Sequence, residues 1–216
     1  MSKNHISHTV EFVKNTLEVA EGGHDWFHIE RVWNNAKLIN KTENADQLVV
    51  ELAALLHDIA DSKFHDGDET LGPKIAKNHL QKLGLDKDRT DHIVKIIENI
   101  SFKGGNHSTL FDSSEFRVVQ DADRLDAIGA VGISRCFNYG GFKNRSIYDP
   151  EIPPKLDMTK EEYKSSTAPS INHFYEKLLL LKDSMHTNSG REIAIERHRF
   201  MELFLEHFFA EWKGKQ

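Results

Sequence analysis

The stretch Leu48–Leu56 is nearly unbroken hydrocarbon, interrupted by Glu51, and it runs directly into a histidine and an aspartate, His57-Asp58. Such a run reads as a helix buried on most of its faces, with His57 and Asp58 continuing it at the C-terminal end. A carboxylate there is costly unless a partner takes up its charge. The partial negative charge of a helix C-terminus disfavours it further. Something positive must therefore face Asp58, and a metal ion is the partner that also suits His57. Two other stretches offer matching groups. In H-D-W-F-H-I-E-R-V, residues 24 to 32, His28 falls at helical spacing with Val32, Ala36 and Ile39, at the edge of a core-facing stripe. In V-V-Q-D-A-D-R-L-D-A-I-G-A, residues 118 to 130, Asp121, Asp123 and Asp126 share a helix with Val118, Ala122, Leu125 and Gly129. On an ideal helical wheel Asp126 lies nearer the centre of the apolar face than Asp123, so geometry favours Asp126 as the inward carboxylate. Two imidazoles and two carboxylates make a mixed nitrogen and oxygen site with room for water. An ion held there lowers the pKa of bound water and counters charge on phosphoryl oxygens.

The elements that must position these groups all read as helices. Helical apolar spacing predicts segments at 6–20, 28–43, 46–60, 73–83, 88–101, 114–137, 168–186 and 190–212. Gly22-Gly23 breaks the first pair, Pro73 sits where a first-turn proline belongs, and Ser189-Gly190-Arg191-Glu192 has the form of a capping box. No alternating strand, internal repeat or low-complexity tract stands out. One long irregular stretch, 138–166, is of the length that usually serves function or an interface. With no flexible linker, the expectation is an all-α fold in a single compact domain, 1–216. The chain has 216 residues, 38% hydrophobic and 29% charged, with net charge −6. That balance argues against a nucleic-acid polymer as partner, a role that calls for a basic excess, but leaves room for a small anion bound by a few cations in one cleft. The lone Cys136 excludes an internal disulfide and suits a reducing cytoplasm. The N-terminus lacks an apolar core of signal-peptide length, and no run reaches the ~20 apolar residues of a membrane span. A cytoplasmic protein without membrane attachment is expected.

Taken in order, His…His-Asp…Asp resembles the HD superfamily of metal-dependent phosphohydrolases, and the resemblance covers most of the chain. His28 stands in H-x-x-x-V, His57-Asp58 matches the pair that names the family, and Asp123 matches the aspartate of A-D-x-L. The motifs H-D-W-x-H-x-x-R-V, H-D-x-x-D-x-K-F, S-F-K-G-G and D-A-D-R-L-D-A-x-G further resemble a group of small bacterial nucleoside-triphosphate pyrophosphohydrolases. The resemblance implies one divalent metal ion held by His28, His57, Asp58 and Asp123, thereby preferring Asp123 to the Asp126 of the helical wheel. Manganese is the first expectation, with Fe, Co, Ni, Zn or Mg as alternatives. It also implies that Asp61, one turn past Asp58, handles the proton of the attacking water. Lys63 is a second catalytic candidate, and His24, Lys103 and Arg124 are candidate phosphate contacts. Lys103 has an independent argument, since Gly104-Gly105 would let backbone N–H groups approach an anion closely.

The implied function is hydrolysis of a (deoxy)nucleoside triphosphate to monophosphate and pyrophosphate. A 5'-nucleotidase acting on monophosphates and a nucleotide-binding regulator without turnover are the alternatives, and an intact Asp61 and Lys63 weigh against the regulator. Other features have plainer readings. Trp26 and Phe27 are expected in the core where the second helix begins, rather than as a base-stacking platform. His79, His92 and His107 raise a second metal site, against the plain reading of surface histidines on helices. The ending F-M-E-L-F-L-E-H-F-F-A-E-W is read as an amphipathic packing helix, with the seam of a homodimer as alternative. Cys136 is read as inert.

Overall fold

The computed structural model describes residues 2–18, 25–60, 68–100 and 111–215. Every regular element among them is helical, in the order α1 (Ser2–Thr16), α2 (Trp26–Glu43), α3 (Gln47–Leu56), α4 (Leu71–Lys82), α5 (Lys87–Ile100), α6 (Ser114–Asp126), α7 (Gly129–Phe142), α8 (Lys160–Ser165), α9 (Asn172–Glu176), a 3-10 segment (Leu178–Ser184) and α10 (Asn188–Trp212). The all-α expectation holds. No described helix is long and apolar enough to cross a membrane. The chain forms two compact units, Met1–Asp123 and Arg124–Gln216, divided within α6 rather than at a linker.

In the first unit α3 is the central element, packed against α1, α2 and α5. Its buried residues, Val49, Val50 and Leu52 through Leu56, explain the hydrocarbon run. Glu51, the exception, accepts from the indole Nε1 of Trp33 at 2.8 Å and from Gln47 Nε2 at 2.8 Å. Asn40 extends this network, donating to Gln47 Oε1 and accepting from the Ala45 N–H. The polar groups thus fasten α2 to α3 with their hydrogen-bonding capacity met. Between the two helices run Asn44, in the left-handed region at φ 54°, then Ala45 and Asp46, whose carboxylate caps the N–H groups of Leu48 and Val49. So short a link turns the chain back antiparallel, which lays the start of α2 beside the end of α3. Pro73 falls in the first turn of α4, as expected.

In the second unit α10 packs on α7 and on the 3-10 segment. The rings of Phe137, Phe174, Phe204 and Phe208 lie with centroids about 6 Å apart, at 5.7 to 6.1 Å. That packing suits aromatic pairs, and it absorbs much of the aromatic ending of the sequence.

Several boundaries differ from expectation. The predicted helix 114–137 is broken after Asp126. Gly129 adopts φ 75°, a conformation open to glycine, and a Cβ on Gly132 would stand 2.2 Å from the Ala127 carbonyl oxygen. The segment 168–186 is α9 plus the 3-10 segment, not one helix. The last helix is capped by Thr187, which accepts from the Gly190 N–H, so the Ser189 to Glu192 box does not open it, whereas a capping box is present at Thr159 and Glu162 on α8. The stretch 138–166 is partly ordered by α7 and α8, and it is tied down where Ser170 and Ile171 donate to the Ser146 and Ile147 carbonyls at 2.9 and 3.0 Å.

Candidate metal centre

Three local devices place the chemistry-bearing residues. Asp25 is the N-cap of α2, with φ −87° and ψ 179°, and its carboxylate accepts from the His28 N–H at 3.0 Å. The cap satisfies one of the first-turn donors and fixes the turn that carries His28. His57 is the C-cap of α3 rather than part of the helix, and Asp58 lies in the turn that follows. Asp123 projects from α6, three residues before its end.

These elements bring four of the named residues together. Ligand atoms of His28, His57 and Asp58 all lie within 4.8 Å of one another. His28 Nε2 is 3.9 Å from an Asp58 oxygen and 3.7 Å from Asp123 Oδ1, which is also 3.7 Å from His57 Nε2. The two imidazole rings stand edge to face, centroids 5.2 Å apart. Both histidines are buried, whereas the side chains of Asp58 and Asp123 are 19% and 34% exposed. Solvent therefore reaches the centre from its carboxylate side.

The hydrogen bonding of His57 tests whether a cation fits. Its Nδ1 lies 2.8 Å from the Ala54 carbonyl oxygen. A carbonyl only accepts, so Nδ1 carries the proton of the neutral ring and Nε2 keeps its lone pair. That Nε2 is buried and has no hydrogen-bond partner, since 3.7 Å to Asp123 is an electrostatic contact and not a hydrogen bond. Burial disfavours the protonated ring, but the carboxylates of Asp123 and Asp58 and the Ala54 carbonyl outweigh it and push His57 up to about 9. Without an ion these carboxylates therefore favour a proton on Nε2, and a bound cation takes that proton's place at the lone pair. An orphaned lone pair, a second imidazole and two carboxylates in one spot form a donor set for a divalent ion. The cluster of His28, His57 and Asp58 is the group among the described residues with the geometry to hold one.

Asp126, favoured by the helical wheel, has a different neighbour. It is buried and accepts from Arg135 Nη1 at 2.7 Å, and the same nitrogen lies 3.3 Å from the Asp126 carbonyl oxygen. Sequence reasoning missed this pair because a helix unbroken to 137 would put Arg135 nine residues, or more than two turns, away; the glycine break at Gly129 brings it back. Arg124 donates to the Ser184 carbonyl oxygen. His24, Asp61, Lys63 and Lys103 lie outside the described residues, as does His107. His79 and His92 do not join the cluster: His79 Nε2 lies 3.0 Å from Thr9 Oγ1, and His92 Nε2 lies 2.9 Å from Ser113 Oγ. Trp26 is half-buried under Lys14, whose Nζ is 4.5 Å from the ring centroid, but Phe27 is not core: it is 63% exposed. Burial pushes the Cys136 thiol up to about 12, consistent with an unreactive group.

The chain is similar to known proteins over most of its length. The sequence model of the HD domain matches residues 26–128, which spans all four clustered residues. The uncharacterized protein YpgQ of Bacillus subtilis (strain 168) is 40% identical over 204 residues, covering 94% of this chain and 91% of its own. A crystal structure of an HD-superfamily hydrolase from Bacillus thuringiensis superposes with a TM-score of 0.79 at 42% identity, covering 100% of both chains. A crystal structure of Bacillus subtilis YpgQ in complex with ADP superposes with a TM-score of 0.77 at 35% identity, covering 97% of this chain and 96% of that one.

Proposed function

The chain belongs to the HD superfamily, and on that premise we propose that it is a metal-dependent phosphohydrolase acting on nucleotides, converting (deoxy)nucleoside triphosphates to monophosphate and pyrophosphate. The observation that carries this reading is the meeting of His28, His57, Asp58 and Asp123, with His57 Nε2 buried and unpartnered among them. The nucleotide part draws support from the relative crystallised with ADP. His28, His57, Asp58 and Asp123 would hold one divalent transition-metal ion, manganese in the first instance. Bound there, such an ion makes water a better nucleophile and offsets negative charge on phosphoryl oxygens.

The remaining roles belong to the protein. The water oxygen forms a bond to the α-phosphorus, and the bond from that phosphorus to the bridging oxygen breaks, releasing pyrophosphate. Asp61 takes the proton of the attacking water, and Lys63 offsets the charge that builds on the phosphate. His24 and Lys103 hold the phosphate chain. Arg124, which donates to the Ser184 carbonyl oxygen, is the remaining candidate contact for the phosphates. Residues 1–216 are taken as one HD phosphohydrolase domain, because no linker sequence separates the two compact units.

The test is a panel of nucleotides incubated with the purified protein and Mn²⁺, with products separated by chromatography. Monophosphate and pyrophosphate from a triphosphate are expected. Orthophosphate released from monophosphates would replace the reading with a nucleotidase. Nucleotide binding without turnover across Mn²⁺, Mg²⁺, Co²⁺ and Ni²⁺ would replace it with a regulator.

A further inference from the structure

Phe27 is the feature of the first unit that neither the core nor the metal centre accounts for. Its ring is the most exposed aromatic side chain among the described residues, at 63%. It immediately precedes His28, in the first turn of α2. Side chains on a helix lean toward its N-terminus, so the Phe27 ring and the His28 ring both incline toward the end of α2 at which the metal centre lies. Neighbouring Trp26 has a cation over its face, from Lys14; among the described residues no ring or cation covers Phe27.

An exposed apolar ring can be meant for a protein surface or for a small planar ligand. A protein surface requires a contiguous apolar patch, and the described residues form none around Phe27. In the described part of the first unit the other exposed large hydrophobic residue is Leu38. It lies on nearly the same face of α2 but eleven residues on, which is about 16 Å along the axis. A lone flat ring one residue along the chain from a histidine of the metal centre suits a nucleobase, because every base has a π-face to stack on an aromatic side chain.

Building on the nucleotide reading of the site, we infer that Phe27 is the platform on which the substrate's base stacks, while the phosphate chain lies toward the cluster at His28. Stacking is indifferent to hydrogen-bonding edges, so this contact selects base-bearing substrates over bare polyphosphates without fixing which base. Phe27 acts on specificity and not on the chemical step.

Calorimetric titration of the Mn²⁺-loaded protein with α,β-methylene-ATP and with inorganic tripolyphosphate tests this, in the wild type and in Phe27→Leu, Phe27→Ala and Phe27→Trp. Affinity for the analogue should fall by about 5- to 150-fold in the Leu and Ala variants, the span of one base stacked on one ring. It should return in the Trp variant, and the loss should not extend to tripolyphosphate. Equal affinity of wild type and Phe27→Leu for the analogue would overturn the inference. So would a loss shared by tripolyphosphate, which would make Phe27 a support of α2, and so would a wild type that binds tripolyphosphate but not the analogue. A Phe27-dependent affinity in a protein that splits no triphosphate would overturn the phosphohydrolase reading and leave the platform standing.

Discussion

Asp123 and Asp126 are three residues apart on α6, and their surroundings set them to different work. Asp123 Oδ1 stands 3.7 Å from two buried imidazole nitrogens, with a third of its side chain open to solvent. Asp126 is closed off from water and its charge is met by Arg135 at 2.7 Å. Removing one member of a buried ion pair strands the other and costs about 3–5 kcal/mol. Asp126→Asn is therefore expected to lower stability by that order in urea titrations, with metal content kept. Asp123→Asn should abolish bound metal by elemental analysis and leave the unfolding midpoint of the metal-free protein nearly unchanged. The reverse pattern would hand the ligand role to Asp126. His57-Asp58 was legible because two polar groups end a run that must be buried. The neighbour of Asp126 was not, because an ideal wheel scores a residue by its own helix and carries no information on what a later segment brings to it. Phe27 was misread for a similar reason: the sequence shows an aromatic residue beside a core histidine, but one helical step of about 100° separates buried from exposed.

Pairs of elements carry their own consequences, and α1 and α4 give the clearest one. His79 of α4 lies under the Phe12 ring of α1, centroids 4.0 Å apart and nearly parallel, with Thr9 at its Nε2. The Thr9 hydroxyl gives its proton to the His5 carbonyl at 2.8 Å, so toward His79 it acts as acceptor and the neutral ring carries its proton on Nε2. Burial, with Lys82 and His8 nearby, brings His79 down to about 4. The unfolded ring takes a proton below about 6.5 while the folded one does not until about 4. The contribution of His79 is thus fully present above 6.5 and is lost as pH falls from 6.5 toward 4. Melting temperature should decline more steeply over that window in the wild type than in His79→Gln, and parallel curves would refute the assignment. At α6 and α7, Gly132→Ala would push a Cβ against the backbone oxygen of Ala127, an overpacking expected to cost about 1–3 kcal/mol in urea titration. That junction also shows where legibility stopped. Periodicity revealed which segments are helical, since burial imposes it. It ran on through Ala127–Gly129 because the break is made by backbone conformation at a glycine, which leaves the apolar spacing intact. Likewise the cap of α10 went to Thr187, two residues before the Ser189 that begins the better-looking box.

For the molecule as a whole, the decisive property is that the clustered residues come from distant parts of the chain: the first turn of α2, the end of α3 with the turn after it, and α6. The arrangement exists only when these elements are packed, so a cation that binds it binds the folded protein and adds RT ln(1 + [ion]/Kd) to its stability. At an ion concentration one hundred times Kd this is about 2.7 kcal/mol. For a chain of 216 residues, each kcal/mol moves the melting temperature by about 2–4 °C. Scanning calorimetry in excess Mn²⁺ should therefore raise it by about 5–11 °C over the value in EDTA. If the two compact units melt separately, the shift belongs to the transition of residues 1–123, which hold all four clustered side chains. His57→Ala removes the orphaned Nε2 and should erase the shift. An equal rise in the wild type and in that variant would mean that the ion binds the acidic surface of a chain with net charge −6 rather than this centre, and the metal reading would fall with it.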